Sequence, residues 1–134
     1  MTLLSFADQP DVNPEALEVR LICSEVQVIP WREFDPSSTR AKLGFLSLKP
    51  RSIIDTFSPE MAQAITQTLN KQKYDVVIAS QLQMAAYYPY FQNTPALFEE
   101  MEIGLIYGQA NTSADKVQRL RHAFTWFKLR MYLS

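Results

Sequence analysis

Two short stretches carry side chains able to handle a polar ligand. Glu99-Glu100-Met101-Glu102 places three carboxyl groups within four residues, with no Lys or Arg close by in sequence. Crowded carboxyl groups raise one another's pKa, orient sugar hydroxyls or bind a cation. The plainer alternative is a solvated acidic loop. Ser80-Gln81 adds a hydroxyl and an amide directly after the near-continuous β-branched run Val76-Val77-Ile78-Ala79. In open parallel sheets, ligands bind beyond the carboxyl ends of strands. If the strands ending at Ala79 and Phe98 are neighbours, Ser80, Gln81, Glu99, Glu100 and Glu102 line one crevice.

Other reactive groups are few. His122 is the sole histidine, and no Ser or Cys sits in a recognisable nucleophile setting, so a helix-packing or surface role is expected and no catalytic residue is assigned. One cysteine, Cys23, excludes a disulfide framework and a Cys-based zinc site, and it reads as a small buried hydrophobe. His and Asp partners at ligand spacing are lacking, so no metal site is expected. Glycines are limited to Gly44, Gly104 and Gly108, and neither G-x-G-x-x-G nor G-x-x-x-x-G-K occurs. A phosphate-cradling loop needs glycines where backbone approaches the ligand. No cofactor is therefore expected on this chain.

The elements that would position these groups alternate. Thr2-Leu3-Leu4-Ser5-Phe6 reads as a strand. Asn13-Pro14-Glu15 is a helix start (N-cap, Pro at the first helical position, an acid against the positive helix end), with Leu17, Leu21 and Ile22 following at helical spacing. Val26, Val28 and Ile29, stopped by Pro30, form a second strand. Residues 38–48 suit a helix that Gly44 weakens, and Ser58-Pro59-Glu60 repeats the start signature before the stripe Ala62, Ile65 and Leu69. Residues 74–80 read as a strand covered on both faces, as in a parallel sheet. A short helix follows through Leu82, Met84, Ala85 and Ala86, then an aromatic, Pro-broken loop, and a buried strand at Pro95-Ala96-Leu97-Phe98. Thr112-Ser113-Ala114-Asp115 matches a capping box, and Val117, Leu120, Phe124, Phe127 and Met131 form a seam expected to pack on the sheet. This order predicts an α/β fold, a three-layer, doubly wound, Rossmann-like and mostly parallel sheet, in one domain over 1–134.

With 134 residues, 47% of them hydrophobic, and a net charge of -1, the chain has material for one core and is not intrinsically disordered. No apolar run approaches the roughly 18 residues of a membrane span, and no basic n-region precedes an apolar h-region, so the expected location is cytoplasmic. The terminal helix is basic through Lys116, Arg119, Arg121, Lys128 and Arg130. The leading reading is an ordinary amphipathic helix covering the sheet, and the alternative is peripheral contact with the inner face of a membrane. The overall charge speaks against nucleic acid as a partner.

Leu3-Leu4-Ser5-Phe6-Ala7-Asp8, the segments 23–30 (Cys-Ser-Glu-Val-Gln-Val-Ile-Pro) and 74–85 (Tyr-Asp-Val-Val-Ile-Ala-Ser-Gln-Leu-Gln-Met-Ala), and then 95–102 follow one another in an order that resembles the N-terminal, acceptor-side half of GT-B glycosyltransferases of the family 4, or group 1, type, especially bacterial sugar transferases. The resemblance implies half of a GT-B architecture, with the acceptor held by this domain and the nucleotide-sugar donor by a C-terminal one. It implies a sugar or lipid acceptor, a place in polysaccharide biosynthesis, and an approach of Ser80, Gln81, Glu99, Glu100 and Glu102 to the cleft. Relatives carry a further strand and a Gly-rich loop ahead of the segment 3–8, so the chain is expected to be a fragment truncated at both ends and inactive alone as a hexosyltransferase. A missing strand would leave an apolar edge, hence an expected homodimer. The alternative is a non-catalytic α/β module that binds a ligand or a protein.

Overall fold

The computed structural model describes residues 1–7, 13, 18–99, 108 and 116–133. Among them lie strands β1 (Thr2–Ala7), β2 (Glu25–Pro30), β3 (Val77–Ser80) and β4 (Ala96–Glu99), and α-helices α1 (Thr39–Leu43), α2 (Arg51–Thr56), α3 (Pro59–Lys71), α4 (Tyr88–Phe91) and α5 (Lys116–Leu133). Short 3-10 segments occupy Glu18–Leu21, Gly44–Leu46 and Leu82–Tyr87. The result is a mixed α/β chain with two parallel two-stranded sheets, β1-β2 and β3-β4. The chain divides into two units, Met1–Glu33 with Ser58–Tyr74, and Phe34–Phe57 with Asp75–Ser134.

In the first unit, β1 and β2 run parallel from the pair Thr2 and Glu25 to the pair Ala7 and Pro30. Pro30 has no N–H to extend the ladder, and the Trp31 N–H adds the last rung to the Ala7 carbonyl at 2.9 Å. The Trp31 ring meets Phe6 edge-on, centroids 5.1 Å apart. Cys23, Val26 and Ile29 are buried, Cys23 as expected of a small hydrophobe. α3 begins as its sequence requires: Ser58 Oγ accepts from the Met61 N–H at 3.2 Å, and Pro59 needs no partner for an absent N–H. Met61, Ala62, Ala64 and Ile65 are buried at helical spacing. The helix expected from Asn13 falls largely outside the described residues. The described part, Glu18–Leu21, is a 3-10 turn, and Leu21 and Ile22 are exposed rather than packed.

The second unit contains α1, α2, α4, α5 and the β3-β4 pair. The helix expected over 38–48 stops at Leu43 and tightens into a 3-10 turn. A Cβ on Gly44 would lie 3.2 Å from Arg51 Cγ, so the glycine admits α2 at that point. Asp55 of α2 is fully buried and ties down the preceding loop, accepting from the Asp35 N–H at 2.9 Å and from the Ser38 hydroxyl. Ser38 in turn caps α1 by accepting from the Ala41 N–H at 3.0 Å. The aromatic loop is structured: Phe57 stacks on Tyr87 at 5.1 Å and on Tyr90 at 6.4 Å. Ile53, Leu82 and Leu129 form a buried cluster, with Ala86, Trp126 and Tyr132 packed against it.

Two expectations about burial are corrected here. β3 and β4 are not covered on both faces: Ile78, Leu97 and Phe98 are exposed, and of β3 only Ala79 is buried. The α5 seam does not cover the sheet either. Val117, Leu120, Phe124, Phe127 and Met131 are all exposed, while Leu129 is buried and Trp126 and Tyr132 are partly so. The capping box at 112–115 lies outside the described residues.

Candidate functional site

β3 and β4 are hydrogen-bonded neighbours in parallel, in register from Val77 opposite Ala96 to Ser80 opposite Glu99. The ladder is closed at both ends, by the Val77 N–H to the Pro95 carbonyl at 2.8 Å and the Gln81 N–H to the Glu99 carbonyl at 3.0 Å. Two strands that share a register and a direction deliver their last residues to the same edge. Ser80 and Glu99 meet there, with Ser80 Oγ donating to Glu99 Oε2 at 3.2 Å. Both side chains are exposed, so the pair is open to a ligand.

Gln81 follows under constraint. Its φ of 78° with ψ of 149° makes it the only non-glycine residue with positive φ among the described residues. That region is nearly restricted to glycine and costs an L-residue about 1–3 kcal/mol. Both backbone groups are held: the N–H by Glu99, and the carbonyl by the Met84 N–H at 3.0 Å. The conformation turns the chain from β3 into the 3-10 segment at Leu82 and leaves the Gln81 amide exposed at the carboxyl edge. The edge therefore offers a hydroxyl, a carboxyl group and a primary amide from three positions. Together these accept and donate hydrogen bonds in the mixture that a polyhydroxylated molecule requires.

Ser80, Gln81 and Glu99 are thus brought together as the sequence suggested, by strand pairing rather than by any local motif. Glu100 and Glu102, the other two expected members, lie outside the described residues. Among the described residues, no group of three His, Cys, Asp or Glu side chains is placed to hold a metal ion. One residue nearby escaped the sequence reading. Gln83 Oε1 is buried without a hydrogen-bond partner among the described residues.

A second polar place lies on α5. Gln118, Arg121, His122 and Thr125 line an open cleft of about 310 Å³. These positions recur at three- and four-residue steps and so share one helix face. Thr125 Oγ1 is turned back to the Arg121 carbonyl at 3.0 Å, and His122 is partly buried. Ser80, Gln81 and Glu99 do not line this cleft.

Set against family models, curated proteins and solved structures, the chain matches none of them.

Proposed function

We propose that this chain is the acceptor-binding side of a sugar-nucleotide-dependent glycosyltransferase, and that the carboxyl edge of β3-β4 holds the hydroxyls of a glycan or glycolipid acceptor. The observation that carries the reading is the Ser80–Glu99 pair at the shared end of two parallel strands, the place where such sheets bind ligands. The sequence resemblance supports it independently. On this reading the parallel pairs belong to a three-layer, doubly wound, Rossmann-like domain over 1–134, one half of a GT-B architecture working in the cytoplasm. Ser80 Oγ accepts from or donates to an acceptor hydroxyl, Glu99 accepts from one, and the Gln81 amide fixes a third. Glu100 and Glu102 extend the acidic wall.

Glycosyl transfer also needs positive groups to stabilise a departing nucleoside diphosphate. The reading assigns these, with the donor, to a second domain, so the chain alone binds acceptor and turns nothing over. Steady nucleotide release from nucleotide-sugars by the isolated chain would contradict that assignment. Binding is tested by saturation-transfer difference NMR with a panel of mannose, galactose, glucose and N-acetylglucosamine oligosaccharides. Transfer to at least one glycan, lost in Ser80→Ala and Glu99→Ala, is expected; no transfer to any of them overturns the reading. The exposed apolar row on α5 favours a second reading, a non-catalytic module that docks through that helix.

A further inference from the structure

The face of α5 turned away from the core has the make-up of a surface that lies on a membrane. At about 100° per residue, Val117, Leu120, Phe124, Phe127 and Met131 fall within an arc of about 80°. Each is between 52% and 74% exposed. The helix is anchored elsewhere: Leu129 is buried, Trp126 and Tyr132 pack beside it, and this set centres about 160° from the exposed row. α5 is therefore apolar on two opposed faces, and the core uses only one. Lys128 lies between these two faces, on the same margin of the exposed row as Arg121. It is buried and donates its Nζ to the Gly44 and Phe45 carbonyls, both at 3.2 Å, with the Phe124 ring 4.9 Å away.

Charge decides what suits the outer face. No Asp or Glu occurs from Lys116 to the last residue, Ser134. Lys116 and Arg130 lie along one margin of the apolar row and Arg121 along the other, and all three are exposed. An apolar stripe with phenylalanines, edged on both sides by cations, matches an interfacial helix that sinks its stripe to the acyl boundary while its cations meet anionic headgroups. A second copy of the chain would set these cations against their own kind. No described helix is long and apolar enough to cross a membrane, so the fit is to a helix lying in the surface plane.

We propose that the outward face of α5 docks this chain on an anionic lipid surface through Leu120, Phe124 and Phe127, flanked by Lys116, Arg121 and Arg130. Co-sedimentation of the full chain with vesicles tests this, comparing phosphatidylcholine alone with a 7:3 mixture of phosphatidylcholine and phosphatidylglycerol. Binding to the anionic vesicles is expected to be at least tenfold tighter than to the neutral ones and to weaken in high salt. Removing one margin cation, as in Lys116→Gln or Arg130→Gln, is expected to lower partitioning about fivefold. Phe124→Ser with Phe127→Ser is expected to lower it at least about tenfold. Equal binding of wild-type chain to both vesicle types overturns the proposal, whatever the variants do. So does a folded Phe124→Ser, Phe127→Ser chain that binds as before, since charge alone would then suffice. A wild-type dimer in light scattering that this double variant dissociates also overturns it, because a second copy would then hold the stripe.

Discussion

Ser80 Oγ lies 3.2 Å from Glu99 Oε2, although 19 residues separate the two in sequence. Parallel pairing alone brings them together, and the strands carry little else: both faces of the pair are largely exposed. An exposed hydroxyl–carboxyl hydrogen bond contributes little to stability, so these two residues can be changed without unfolding the chain. Their placement at the edge matters for what they can bind.

Gln81 tests whether the edge is strained. Gly accepts a φ of 78° freely, although it adds unfolded-chain entropy. Gln81→Gly is expected to stabilise the chain by about 1 kcal/mol in urea unfolding, while weakening saccharide binding through loss of the amide. A destabilised Gln81→Gly variant would mean that the backbone is relaxed there and that the side chain serves the fold.

Asp55 is expected to be the costliest single site among those described. Its carboxyl group is buried and accepts from Asp35 and Ser38, so Asp55→Ala leaves the Asp35 N–H and the Ser38 hydroxyl without an acceptor. A loss of about 2–4 kcal/mol is expected from chemical denaturation. An unchanged midpoint would show that the 34–38 loop holds without it.

The dependence on pH follows from two exposed carboxyl groups and one phenol. The Ser37 side chain and backbone donate to Asp35 and hold its pKa down, and the N-terminal backbone of α3 with Ser58 does the same for Glu60. Each binds protons less readily when folded than when unfolded. Their contribution is complete above the ordinary carboxylate range and is lost as pH falls through it, so stability is expected to fall below about pH 4. Burial raises the Tyr132 pKa, with the opposite consequence: its contribution is complete below about pH 10 and is lost as pH rises further. Urea midpoints from pH 3 to 11 would show both flanks. A midpoint that rises on acidification below pH 4 would contradict the first.

Local signals were readable in the sequence, and long-range ones were not. Ser58-Pro59-Glu60 announces α3 because capping chemistry acts within one turn. The runs at Thr2 and Val26 announce strands that do pair in parallel. Ser80, Gln81 and Glu99 could be placed together only on the condition that their strands were neighbours, a condition the pattern could not supply. The α5 seam misled because apolar residues recur on two faces of that helix, and periodicity does not say which one the core takes. Asp55 and Lys128 gave no signal, since each is a charged residue whose partners are backbone groups or hydroxyls distant in sequence.

The most direct measurement is a residue-resolved ¹H–¹⁵N titration of the chain with the best-binding saccharide of the panel. Saturable shifts centred on the amides of Ser80, Gln81 and Glu99, abolished in Ser80→Ala with Glu99→Ala while the rest of the spectrum is preserved, are the predicted result. Saturable shifts confined to other residues, or shifts that survive in the double variant, would contradict the carbohydrate site at this edge.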